Sequence, residues 1–127
     1  MDFNKAIEKL NIELIIMFDS QVSGKTNLKS DVDIAILRDK SLSLEERSEL
    51  TELLAKEYEL NEDKIDLVEI KNASPILRFQ IAEQGKLLWG DKSKFIRFRV
   101  LSWKLYLDTA KLRRVREKFL KRVLHVK

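Results

Sequence analysis

Apolar residues change their spacing several times along the chain, and each change marks an element. Over Asn4–Asn11, Ala6, Ile7 and Leu10 fall on one side of a short amphipathic helix. Ile12–Phe18 is rich in Ile and Leu and has strand length, which predicts a buried strand. A polar stretch, Asp19–Ser30, leads to a second strand at Asp31–Leu37, DVDIAIL. From Ser43 to Tyr58 the spacing becomes helical, with Leu44, Leu50, Leu53 and Leu54 as the apolar positions. Ser43 followed three residues later by Glu46 reads as a capping box at its start. Lys64–Ile70 is a third strand. Ser74-Pro75 then opens another helix, with Ser as N-cap and Pro in the first turn, and Gly85 closes it. Lys86–Trp89 is a short fourth strand.

Beyond Asp91 neither Pro nor Gly interrupts the sequence. Phe98, Leu101, Leu105, Leu112, Val115 and Phe119 follow alternating three- and four-residue steps, with Asp108 in the one polar slot. This is a long helix with a single apolar seam. At ~1.5 Å per residue, some 30 residues extend about 45 Å. A body this small leaves part of that seam to face another chain.

Length and charge refine the picture. The 127 residues fit one domain with one core, divided into a body over 1–91 and a basic C-terminal helix over 92–127. The net charge of +4 hides an asymmetry: residues 1–91 carry −7 and residues 92–127 carry +11. A basic tail on an acidic body suits an anionic partner, whether nucleic acid, a triphosphate or an acidic protein. Its plainer reading is a solvated helix face. Arg113, Arg114, Arg116, Lys118, Lys121 and Arg122 form its densest cluster. Cations there suit a helix C-terminus, and docking to an acidic protein surface is the functional alternative. Nucleic-acid binding ranks third, since no aromatic-interleaved platform is visible. There are no cysteines, hence no disulfides or thiolate metal sites. The N-terminus, MDFNKAIEKL, has no apolar core of a signal peptide, and no run reaches membrane-spanning length. A soluble cytoplasmic protein is expected.

The chemistry concentrates in Asp31-Val32-Asp33. Residues i and i+2 of a strand project from one face, so two carboxylates stand side by side and repel unless a cation lies between them. Magnesium takes oxygen ligands and keeps waters and phosphate oxygens in its remaining positions. If the third strand lies beside the second, Asp66 joins them, and three carboxylates at one sheet end suit metal-assisted, in-line displacement at phosphorus. A lone D-x-D is a weak signal, because aspartates at strand edges are common and usually solvated. Ser23-Gly24-Lys25-Thr26 imitates the end of a P-loop, but Asp19 stands where that pattern needs Gly and no helix of several turns follows. His125 reads as a solvated tail residue, Trp89 and Trp103 as packing anchors, Tyr106 as packing, and Arg78 as one half of a structural salt bridge.

Ser20 through Asp33 resembles the G-S-x10-D-x-D signature of DNA polymerase β-like nucleotidyltransferases, with residues 21–30 filling the gap. Ile65-Asp66-Leu67-Val68, Pro75 to Ala82, Gly85 to Trp89, and Phe98-Arg99-Val100 leading into Tyr106-Leu107-Asp108 resemble the narrower group of minimal nucleotidyltransferases. These form the MNT half of two-gene HEPN–MNT toxin–antitoxin pairs. The resemblance covers roughly residues 12 to 110. It implies an α+β fold: a small mixed sheet of the polymerase β-like type, helices packed on one face, and a long C-terminal helix. It also implies a Mg2+-dependent protein adenylyltransferase, with ATP as AMP donor to a tyrosine of a cognate HEPN ribonuclease toxin, which is thereby silenced in a hetero-oligomeric complex. Asp31, Asp33 and Asp66 match the metal-binding and catalytic carboxylates. Ser20 matches the serine that contacts the triphosphate, within a nucleotide-binding stretch that includes Asp19 and Lys25. The chain departs from the pattern at Asp19, where the family has Gly, and at Gln21 and Ser23, where arginines are common. Those changes remove close backbone approach and bidentate phosphate contacts. An antitoxin that neutralises its toxin by binding alone is therefore the alternative.

Overall fold

The computed structural model describes residues 2–18 and 31–124. Four strands, β1 (Leu14–Phe18), β2 (Val32–Leu37), β3 (Ile65–Glu69) and β4 (Lys86–Gly90), form one sheet in the order β3-β2-β1-β4. β1 is antiparallel to both neighbours, whereas β2 and β3 are parallel. The sheet is therefore mixed. A parallel pair needs a crossover, supplied here by α2 (Leu44–Glu57). The other α-helices among the described residues are α1 (Phe3–Lys9), α3 (Pro75–Gln84) and α4 (Lys92–Leu124).

Local chemistry explains the boundaries. Ser43 accepts the backbone N–H of Glu46 at 3.1 Å, while the Glu46 carboxylate accepts the Ser43 N–H at 3.0 Å, so the capping box is complete. Ser74 caps α3 through the Leu77 N–H at 3.2 Å, with Pro75 at the first helical position. Gly85 does end α3, but in extended conformation (φ −71°, ψ 142°) rather than the left-handed one usual for a terminal glycine. Its reason is space. A Cβ there would run into the Ile81 carbonyl oxygen and come within 2.5 Å of Ile16 Cγ2.

Side-chain alternation gives the sheet two apolar faces. Ile15, Ile34, Ile36 and Leu67 pack with Ile7 of α1 and with Leu50 and Leu54 of α2. Leu14, Ile16, Phe18 and Ala35 pack with Ile81 and Ala82 of α3 and Phe98 of α4. This corrects the expectation of helices on one face: both faces are covered. The period-2 rule for half-buried strands does not apply to a strand such as β1, whose burial is almost unbroken. Leu44, read as an apolar position of α2, is 86% exposed, because the first helical residue precedes the face that meets the sheet.

α4 runs for 33 residues, about 50 Å. Its first half lies against α3, where Arg99 Nε donates to the Ala82 carbonyl at 3.0 Å and Phe79 stacks on Tyr106 at 4.2 Å. Arg113 folds back over the Tyr106 ring, 4.7 Å from its centre. Leu112, Val115 and Phe119, three of the seam positions, are exposed. No described helix is long and apolar enough to cross a membrane.

Candidate active site

The carboxylates occupy the end of the sheet where β1 leaves and β2 and β3 begin. Asp31 is exposed, immediately ahead of β2, and Asp33 lies within the strand with only 7% of its surface exposed. Asp33 faces Phe18 across the antiparallel ladder and Asp66 across the parallel one. Alternation places Asp31, Asp33 and Asp66 on the same face as Ala35 and Val68, the face that α3 covers farther along. The third strand does lie beside the second, and its parallel alignment is what brings the three acids to one end of the sheet.

Their electrostatics follow from that crowding. Asp66 holds its proton above the usual carboxylate range, chiefly through partial desolvation. The Asp33 charge, a hydrogen bond with the Asp33 side chain and the Asp31 charge add to the effect, while the Arg47 guanidinium opposes it. Closely placed carboxylates offer oxygen-only donors, which suit a hard divalent cation. Among the described residues no three acidic or imidazole side chains close into a ready-made metal cage. A cation here would need further ligands from water or from a phosphate.

Arg47 was not singled out by sequence reasoning. It sits on α2, donates from Nη2 to the Leu67 carbonyl of β3 at 2.9 Å, and lies 3.9 Å from a Glu69 carboxylate oxygen. Beside it, Ser48, Thr51 and Asp66 line a concavity of about 320 Å³. No local pattern announces this contact, because only the α2 crossover brings residues 47 and 67 together. Arg78 also differs from its expected role. Its guanidinium donates to the Ile70 and Lys71 carbonyls at 3.1 and 3.0 Å, tying α3 to the end of β3, where a salt bridge was expected. Asp19, Ser20 and Lys25, the expected phosphate-side residues, lie outside the described residues, as do Gln21, Ser23 and His125. Larger concavities of about 590 and 430 Å³ occupy the opposite end of the sheet, near Glu13 and Lys94, away from the carboxylates.

Comparison with known proteins turns this geometry into a family assignment. The family described as polymerase beta, nucleotidyltransferase matches residues 3–94. The chain belongs to that family. It is similar to the protein adenylyltransferase MntA of Shewanella oneidensis, at 36% identity over 81% of this chain and 76% of that protein. A second protein adenylyltransferase MntA, from Aphanizomenon flos-aquae, is 29% identical over 71% of this chain and 67% of its own length. Among solved structures, a toxin–antitoxin crystallised with AMP-PNP matches at a TM-score of 0.65 and 29% identity, over 98% of this chain and 99% of that one. A tri-AMPylated Shewanella oneidensis HEPN toxin in complex with MNT antitoxin matches at 0.59 and 27% identity, over 97% and 99%. As a member of this family the chain is a nucleotidyltransferase, with the mixed sheet and long C-terminal helix described above.

Proposed function

We propose that this chain is an antitoxin nucleotidyltransferase that moves AMP from ATP onto a tyrosine hydroxyl of a cognate HEPN ribonuclease toxin and so neutralises it. The observation that carries the reading is the β2–β3 register, which sets Asp33 opposite Asp66 in a chain 36% identical to a protein adenylyltransferase. The tyrosine oxygen bonds to the α-phosphorus of ATP, the bond to the bridging oxygen of the β-phosphate breaks, pyrophosphate leaves, and the phenolic proton is lost. Asp31 and Asp33 would hold magnesium, with Asp66 sharing it. Bound there, the metal would supply Lewis-acid charge neutralisation at the phosphates. Asp66, opposite Asp33 across the parallel ladder, would orient the incoming phenol and accept its proton. By their match to the family signature Ser20 would contact the triphosphate and Lys25 would add a cation, with Asp19 at the position of the family glycine. Alignment of the two substrates accounts for much of the rate. Such a reaction draws on cytoplasmic ATP.

Mass spectrometry of the intact HEPN partner, purified alone and then incubated with this chain and Mg-ATP, tests the proposal. AMP-sized steps are expected with the wild type and none with an Asp31→Ala/Asp33→Ala variant. An unmodified partner held in a tight complex would instead support the second reading, neutralisation by binding alone. The changes at Asp19, Gln21 and Ser23 favour that alternative.

A further inference from the structure

From Leu101 to Arg122 α4 carries a regular arrangement whose outer part is exposed among the described residues. Leu101, Leu105, Asp108, Leu112, Val115, Phe119 and Arg122 recur at alternating steps of four and three, the spacing of a helix-pairing seam. The seam begins on the body, where Phe98, Leu101 and Leu105 line the concavity of about 430 Å³ between α4, Ile70 and Arg78. It then continues outward through Leu112, Val115 and Phe119, which are 63–69% exposed. Lys104, Lys111 and Lys118 flank it on one side at seven-residue spacing, and all three are exposed. Arg116 is the one charged residue in the flanking row on the other side.

These flanks select the occupant. Two copies of α4 laid antiparallel would oppose one lysine row to the other, and laid parallel would oppose the lysines to Arg116; like charges across a seam disfavour both. A lipid surface would have to accept the exposed Asp108 in the middle of the apolar stripe. A protein helix can pair it, and one polar residue in a seam fixes register. We infer that the Leu101–Arg122 seam of α4 docks an apolar helix of the HEPN partner, a helix that carries a row of carboxylates at seven-residue spacing and a cation opposite Asp108. This inference rests on the function proposed above and assigns a surface to its partner.

Binding of the full chain to the HEPN partner, by titration calorimetry at two salt concentrations, is the test. The chains compared are the wild type, Leu112→Ser/Val115→Ser/Phe119→Ser, Lys104→Glu/Lys111→Glu/Lys118→Glu and Asp31→Ala/Asp33→Ala. The two triple variants should each lose at least tenfold in affinity, and the charge-reversed one should also lose the weakening by salt. The carboxylate variant should bind like the wild type. The six substituted seam and lysine positions are exposed, and an unchanged melting temperature would show that the body is intact. Wild-type affinity in both triple variants would overturn the surface while leaving the proposed activity standing. A wild type that neither binds nor modifies the partner would overturn the activity, and with it this choice of occupant. A dimer of the chain alone that the serine variant disperses would assign the seam to a second copy. Lysine-dependent binding to phosphatidylglycerol vesicles would assign it to a membrane, and either result overturns the inference.

Discussion

Asp33 and Asp66 stand opposite one another across the parallel β2–β3 ladder, and the charge of the first helps hold the proton on the second. The ionised form of Asp66 is thus disfavoured in the folded protein relative to the unfolded chain. At neutral pH, where Asp66 is ionised in the unfolded chain, this costs stability. Below the ordinary carboxylate range both states are protonated and the cost vanishes. Asp66→Asn should therefore raise the melting temperature at pH 7 and lose that advantage as the pH falls through about 4, while transfer activity is lost. Thermal melts across pH 3–8 measure it; an equal or lower melting temperature at pH 7 would contradict the account of the site.

Magnesium should reverse the repulsion. At one hundred times its dissociation constant a ligand that binds only the folded state stabilises by about 2.7 kcal/mol, several degrees for a domain of this size. The expected result is a magnesium-dependent rise in melting temperature for the wild type and none for Asp31→Asn/Asp33→Asn. A rise of equal size in both would remove these residues from the proposed metal site.

At the other end of the sheet the sign is opposite. Glu46 is held down to about 2 by the hydrogen-bonded Arg38 guanidinium and then by the Ser43 N–H, with Arg38–Glu46 distances of 2.9 and 3.1 Å. A depressed carboxylate contributes stability above its unfolded value, near 4.5, and loses it as the pH drops toward 2. Glu46→Gln should therefore be less stable than the wild type at pH 7, with the two curves converging in acid. Parallel curves from pH 6 to 2 would show that the pair contributes nothing.

Gly85→Ala separates steric from torsional reasons for a glycine. The backbone there suits any residue, but the new methyl group would meet Ile16 and the Ile81 carbonyl. A loss of ~1–3 kcal/mol is expected, as for overpacked cores, and Gly85→Ala/Ile16→Val should recover only part of it because the carbonyl cannot retreat. Urea unfolding gives both values, and a neutral Gly85→Ala would mean that α3 shifts to make room.

Much of this was legible because local rules governed it. Ser43 and Ser74 announced their helices by capping chemistry, and the D-x-D spacing placed two carboxylates on one strand face. The placement of Asp66 needed the additional assumption that β3 lies beside β2, which spacing alone does not give. The two-sided burial of the sheet was missed because a short run such as LIIMF reads as buried without saying what covers each face. Arg47 and the true partners of Arg78 were missed for a related reason: both reach backbone carbonyls, which leave no mark in a sequence.

The register of β3 has a consequence for how such a protein can change over generations. Leu67 fits the core on one face, and its neighbour Asp66 meets Asp33 on the other. A shift of one residue would swap the faces, drive the acid into oil and turn the leucine toward the carboxylates. An insertion or deletion in the α2 crossover that slipped β3 by one residue would therefore fail at folding, so selection for folding guards the pairing of the acids against that slip even in generations when the chemistry is not being used.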